Sequence, residues 1–427
     1  MRNLSELRRV LEKANLLPLE RQAELSSRVL AQRLQTVLPW AMEQSGIDLW
    51  IVLSKENCED PILKTLLTWD MRQARRLSIL LFSRDPVLGT VRCMSVGNQS
   101  PEMSRIYENV RWEGEAPLAC VARMARDLRP GRIGVNTSAH FGYCDGLTAS
   151  READLLEALS ADLQEKVVSA EPLTVRFLQR QCVLEQQVQQ ALLDVTQGIT
   201  EICFGPEVAI PGETSTTDIE WRMREFFGAL ELDYWFGPDV DLQRKGCSDS
   251  RLAPAVLRPG DLVHCDIGVK AKYIYMHTDM QWLLYVRRPG EEAAPEGLNQ
   301  LLRQGNRFQD LVMAQFGTGK PGNEVFAAAL AAARAEGIEA MLYTHPLGTY
   351  GHGAGPTIGR YDLQGYVPGP GEFPVEPDTG YALEGNVCAP VPEWDGQKVF
   401  AYLEEDIFFD GISCRFVRPR QEALLLV

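Results

Sequence analysis

Apolar and polar positions change their period several times along the chain, and each period predicts an element. Over residues 1–45, leucines recur at helical spacing among charges, which predicts helix. DLWIVL (48–53), RLSILLF (76–82) and RIGVN (132–136) are short apolar runs suited to buried strands. Helical periodicity returns at Ala116–Asp127 and Ser150–Gln164. This mixture predicts an α/β domain over residues 1–170 and a second domain over 171–427.

From Pro172 the texture changes. Leu184, Val188, Leu192, Val195, Ile199 and Ile202 share one face of a helix predicted over Val183–Phe204, with glutamines opposite. Further helices are predicted at Thr217–Phe227, Gly297–Gln315 and Gly322–Glu336. A strand pair is predicted within 262–285, and two more strands around 381–391 and 399–409. Between them, His345–Gly380 is crowded with glycine and proline. The second domain therefore reads as α+β.

Composition narrows the function classes. The net charge is -15, from 43 basic and 58 acidic residues, without a basic cluster to meet a phosphate backbone, so nucleic acid is not an expected partner. The N-terminus lacks the unbroken apolar stretch of a signal peptide. The longest apolar runs are far short of the ~20 residues that span a bilayer, so no membrane partner and a cytoplasmic location are expected. The ten cysteines are scattered singly, without metal or disulfide spacing, and read as free thiols. Cys265 and Cys388 read as small apolar side chains beside the strands that carry the chemistry.

That chemistry concentrates late in the chain. Four of the five histidines (His264, His277, His345, His352) follow residue 260. In LVHCDIGVK, strand alternation puts His264, Asp266 and Gly268 on one face, against Val263, Cys265 and Ile267 on the other. In YMHTDMQWLLYV, His277, Asp279 and Gln281 share a face. Paired as a hairpin, these strands line one surface with two aspartates and two histidines. Glu384 lies in the apolar GYALEGNV, and Glu404 in VFAYLEEDIFF, where it shares a face with Tyr402 and Asp406. His345 and His352 punctuate the glycine-rich THPLGTYGHGAGPTIG, where glycines permit close backbone approaches. Buried carboxylates are costly unless they are paired or hold metal. Four of them would neutralise two divalent ions of manganese, zinc, cobalt or iron, a choice that spacing does not make.

At these residues the sequence resembles the pita-bread metallopeptidases of family M24: prolidase, aminopeptidase P, methionine aminopeptidase and the related creatinase. The resemblance covers roughly 170–427 and, more loosely, the whole chain, whose first domain is similar to the creatinase-type N-terminal domain. It implies the ligand order Asp, Asp, His, Glu, Glu. GDLVHCDIG then supplies Asp266, HTDMQ supplies Asp279, HPLGTYGH supplies His345, YALEGN supplies Glu384 and LEED supplies Glu404. His352 takes the place of a histidine that contacts substrate or intermediate. The chain departs from the family in four places. The two aspartates are 13 positions apart rather than 11, and Ser248 and Asp249 stand where an upstream histidine is usual. Tyr402 replaces an arginine two residues before the last glutamate, and Gly385 replaces the proline of E-P-G. His264 and His277 are the candidates to supply the missing imidazole.

The implied activity is hydrolysis of peptide (Xaa-Pro-like) or related C–N bonds by a dinuclear centre with a metal-bridging hydroxide. Glu384 would be the general base, His352 would stabilise the oxyanion or protonate the leaving nitrogen, and the substrate would be a short peptide or small amide. A homodimer, as in prolidase, is the expected assembly. Three alternatives share the fold: a creatinase-like metal-free hydrolase, a specialised-metabolite enzyme on the same metal core, and a non-catalytic peptide-binding module.

Overall fold

The computed structural model describes residues 17–97 and 99–427, which fall into two compact units, Pro18–Leu184 and Glu185–Val427. The first sixteen residues of the helix expected over 1–45 lie outside the described residues; the rest form the helix Leu19–Ser45, closed by Gly46 in the left-handed region.

In the first unit, among the described residues, six strands form one mixed sheet. They are β1 (Leu49–Ser54), β2 (Ser78–Arg84), β3 (Val91–Ser95), β4 (Glu108–Asn109), β5 (Ile133–Val135) and β6 (Val167–Ser169), in the order β4-β3-β2-β1-β5-β6. The apolar runs at 48–53, 76–82 and 132–136 supply β1, β2 and β5, whose central residues are buried. The single helix expected over 150–164 is broken at Leu159–Ser160, giving Ala149–Ala158 and Ala161–Gln164. Leu155, Leu159 and Leu163 are all buried in the same core across the break.

In the second unit, among the described residues, nine strands build a sheet with the main order β10-β12-β13-β9-β8-β7. These are β7 (Asp239–Gln243), β8 (Leu262–Ile267), β9 (Met280–Tyr285), β10 (Glu339–Leu342), β12 (Thr379–Val391) and β13 (Gln397–Phe409). The short β11 (His345–Leu347) pairs with β12, β14 (Cys414–Phe416) with β13, and β15 (Leu425–Leu426) with β9. The pairings are antiparallel except β15 on β9. The apolar face carries Leu383, Leu403, Ile407 and Phe409 against the helices Glu296–Met313 and Gly322–Ala335. The helix Val183–Cys203 presents Val188, Leu192, Val195 and Ile199 as its buried stripe.

Two features of this sheet set the site. β12 and β13 pair along their whole thirteen-residue length, joined by a turn in which Asp395 and Gly396 both take positive φ. β9 starts only at Met280, although alternation predicts a strand from about Tyr275. Residues 270–279 instead form an irregular connection pinned by a bridge between Lys270 and His277, which accommodates the longer spacing of the two aspartates.

Candidate metal centre

One register line crosses the second sheet. Asp266 on β8 faces Gln281 on β9, Gln281 faces Glu404 on β13, and Glu404 faces Glu384 on β12. Residues directly opposite in adjacent strands point to the same side, so four chain segments deliver four polar side chains to one surface. Asp279, two positions before Gln281, joins them. Asp406 fixes its backbone, since Asp406 Oδ1 accepts from the Asp279 N–H at 3.0 Å while Gln189 Nε2 donates to Asp406 Oδ2 at 3.0 Å.

His345 enters from β11, opposite Ala382 on β12. Its Nδ1 lies 3.1 Å from the Pro346 carbonyl and donates to it, which leaves the Nε2 lone pair free. Nε2 lies 3.6 Å from Asp279 Oδ2, 3.9 Å from Glu404 Oε1 and 4.0 Å from Glu384 Oε2. Burial, and then the neighbouring His352, push its pKa down to about 3, so the ring is neutral at physiological pH. Thr344 next door clasps the Glu384 backbone: its hydroxyl accepts from the Glu384 N–H at 3.1 Å and donates to the Glu384 carbonyl at 3.2 Å.

These residues form two overlapping groups, Asp279–His345–Glu404 and Asp266–Glu384–Glu404, each offering donor atoms within 4.8 Å of one another. Within them Asp266 Oδ1, Asp279 Oδ1, His345 Nε2 and Glu404 Oε1 are buried without a hydrogen-bond partner. Orphaned acceptors of this kind are costly, and a cation satisfies them together. Without one, the carboxyls resist ionisation. Burial raises Asp266 to about 7, and burial plus Asp266 raises Glu384 to about 8. Burial, then the neighbouring carboxylates, hold Asp279 and Glu404 well above the usual range. The donor set therefore fits a hard or borderline divalent ion.

The structure thus gathers Asp266, Asp279, His345, Glu384 and Glu404, all five ligands that the sequence implied. It sets His352 at their side, exposed, with its ring 4.6 Å from that of His345 and 4.9 Å from Trp235. His264 lies behind the cluster: its Nε2 is 2.9 Å from Gln281 Oε1 and its Nδ1 3.1 Å from Asp241 Oδ2. Burial opposes protonation of His264, but Asp241 outweighs it and raises the pKa. His277 is turned to the glycine-rich loop, where its Nδ1 lies 3.0 Å from the Gly348 carbonyl, and burial lowers its pKa to about 4.

Several contributors escape sequence reading. Asp241 lies on β7, a strand not among those predicted above, although DVDLQ alternates polar and apolar positions and puts Asp241 on the polar face. Arg251 Nε donates to Asp241 Oδ2 at 2.7 Å, completing a relay from an exposed guanidinium to the buried His264 and Gln281. The aromatic pair Trp235–Phe236 is the one visible signal for the Trp235 indole, which stands nearly perpendicular to the rings of His345, His352 and His277.

Comparison with known proteins follows the same outline. Residues 183–409 match the family model described as metallopeptidase family M24. No curated protein matches the chain. Among solved structures, an X-Pro aminopeptidase from Thermotoga maritima is similar, with a TM-score of 0.63, 13% identity, and 91% of this chain and 100% of that one covered. An Xaa-Pro dipeptidase from Bacillus anthracis follows with a TM-score of 0.59, 16% identity, and 94% and 100% covered. The N-terminal domain of FACT complex subunit SPT16 from Cicer arietinum has a TM-score of 0.58, 10% identity, and 93% and 98% covered. Identities this low establish the fold.

Proposed function

Since the chain belongs to metallopeptidase family M24 and has its pita-bread fold, we propose that it hydrolyses the amide bond of short peptides with a free amino end. The observation that carries this reading is the set of buried, unpartnered acceptors on Asp266, Asp279, His345 and Glu404 that converge on one place. A divalent cation bound there supplies Lewis-acid polarisation of the scissile carbonyl and lowers the pKa of a water. Asp279, His345, Glu384 and Glu404 would hold it, with Asp266 beside them.

The remaining steps belong to the chain's own side chains. Glu384 keeps 17% of its side chain exposed while Glu404 is closed off. Glu384 is therefore placed to take a proton from the attacking water and return it to the leaving nitrogen. His352 is placed to donate to the carbonyl oxygen as negative charge develops. Trp235 walls the histidine side of the site and limits the room for water. A pure peptide-binding role gives no reason to bury four unsatisfied acceptors in one cluster.

The test is hydrolysis of a panel of Xaa-Pro and non-proline di- and tripeptides by protein stripped with chelator and reloaded with manganese, zinc, cobalt or iron(II) in turn. Turnover that appears with metal and disappears with chelator is expected. A fully loaded protein that cleaves none of them would sink the peptidase reading.

Gly351 offers a second check. A Cβ there would lie 2.2–2.5 Å from three atoms of the Trp235 indole, so Gly351→Ala must displace the indole from His352. Small misplacements near the reacting atoms are costly, and kcat/KM is expected to fall on the order of 10- to 100-fold. Metal content should stay unchanged, measured on the same preparation. Unaltered kinetics would remove Trp235 from the site's working parts.

A further inference from the structure

Gln281 occupies the middle of the register line, between Asp266 and Glu404. Its amide nitrogen donates to Glu384 Oε1 at 2.6 Å and to Glu404 Oε2 at 2.9 Å. Held ionised by a cation, the two glutamates offer only acceptors, so the nitrogen faces them and the amide oxygen faces His264 Nε2, 2.9 Å away. That orientation is held from behind. His264 is anchored on Asp241 at 3.1 Å, and Asp241 by Arg251 at 2.7 Å.

The two glutamates are thereby divided. Glu384 Oε2 and Glu404 Oε1 face His345 Nε2 at 4.0 and 3.9 Å, with Asp279 Oδ2 at 3.6 Å. Their other oxygens are taken by the Gln281 amide. A carboxylate that bridges two ions gives one oxygen to each, and an ion reaches its oxygen ligands at about 2.0–2.2 Å. The amide hydrogens lie along the lone pairs that a second ion would need. The second group, Asp266–Glu384–Glu404, thus has two of its three carboxylates already engaged.

We infer that Gln281 stands in for the second cation, so that the centre holds a single ion on Asp279, His345, Glu384 and Glu404 rather than a pair. This rests on the metal-centre reading proposed above. One neutral amide replaces one ion, with its two hydrogens bonded to the two glutamates. The Arg251–Asp241–His264 relay makes Gln281 a positioning residue that the sequence alone placed only on a face.

The experiment is metal stoichiometry with manganese. Wild-type, Gln281→Ala and Gln281→Glu proteins are stripped, saturated with manganese, and freed of unbound ion. They are then measured by elemental mass spectrometry and by electron paramagnetic resonance, which separates an isolated ion from a coupled pair. The glutamate variant keeps the side-chain shape and replaces the donor by a further acceptor, so it serves if the alanine variant does not fold. The expectation is one isolated ion per wild-type chain and two coupled ions per variant chain. Two ions in wild type overturn this inference and leave the metal centre standing, and so does one ion in both variants. No ion in wild type or either variant overturns the metal centre and this inference with it.

Discussion

His345→Ala protein is expected to lose nearly all bound metal and about 1,000-fold in kcat/KM, while keeping its fold. Nε2 is the neutral donor among four carboxylates and lies within 4.0 Å of three of them. Without it the remaining donors repel one another more than they hold an ion. A Lewis acid contributes several kcal/mol at the transition state, and about 4 kcal/mol corresponds to that thousandfold loss. The fold should survive because the ring is neutral and its removal leaves no unpaired charge. Elemental analysis, peptide kinetics and circular dichroism on one preparation check all three parts. Full metal and full activity in this variant would remove His345 from the centre.

The second large effect is on stability. In the metal-free protein, burial, with further help from Asp266 at Glu384, raises Asp266 to about 7 and Glu384 to about 8. The same groups in an unfolded chain titrate near pH 4. Between those limits the folded state binds more protons than the unfolded state, so stability is present at acid pH and is lost as pH rises through about 4 to about 8. A bound cation removes the cost by neutralising the carboxylates. The rise in Tm on adding manganese should therefore be larger at pH 8 than at pH 5, by on the order of 10 °C. Glu384→Gln should flatten that dependence. Differential scanning calorimetry across the range is the measurement, and equal metal-induced shifts at both pH values would contradict the account.

Much of the site can be read in the sequence because strand periodicity is exact where a strand is long and one face is apolar. Leu383 and Leu403 announce the buried face of β12 and β13, and so place Glu384 and Glu404 on the other. Asp266 follows the same rule between Cys265 and Ile267. Asp279 satisfies the pattern but lies just before β9, where the Asp406 carboxylate on β13, and not strand pairing of its own, holds the backbone. What alternation leaves open is pairing. Asp241 and Arg251 meet His264 only because β7 adds to the sheet beside β8 in a particular register, and nothing in DVDLQ encodes its neighbour. The face of Gln281 is legible, but its hydrogen bonds to Glu384 and Glu404 depend on side chains more than a hundred residues away. The break at Leu159–Ser160 belongs to the same class, since the i, i+4, i+8 spacing of Leu155, Leu159 and Leu163 is equally that of one continuous helix.

The register line from Asp266 through Gln281 and Glu404 to Glu384 has a consequence for quality control of the folded chain. A slip of one residue in any of the three pairings turns a donor onto the apolar face and scatters the set. Cation retention would therefore report correct strand pairing. A chain able to hold an ion there would have aligned segments spread from residue 262 to 409, whereas a misaligned chain would leave its carboxylates exposed or buried without partners.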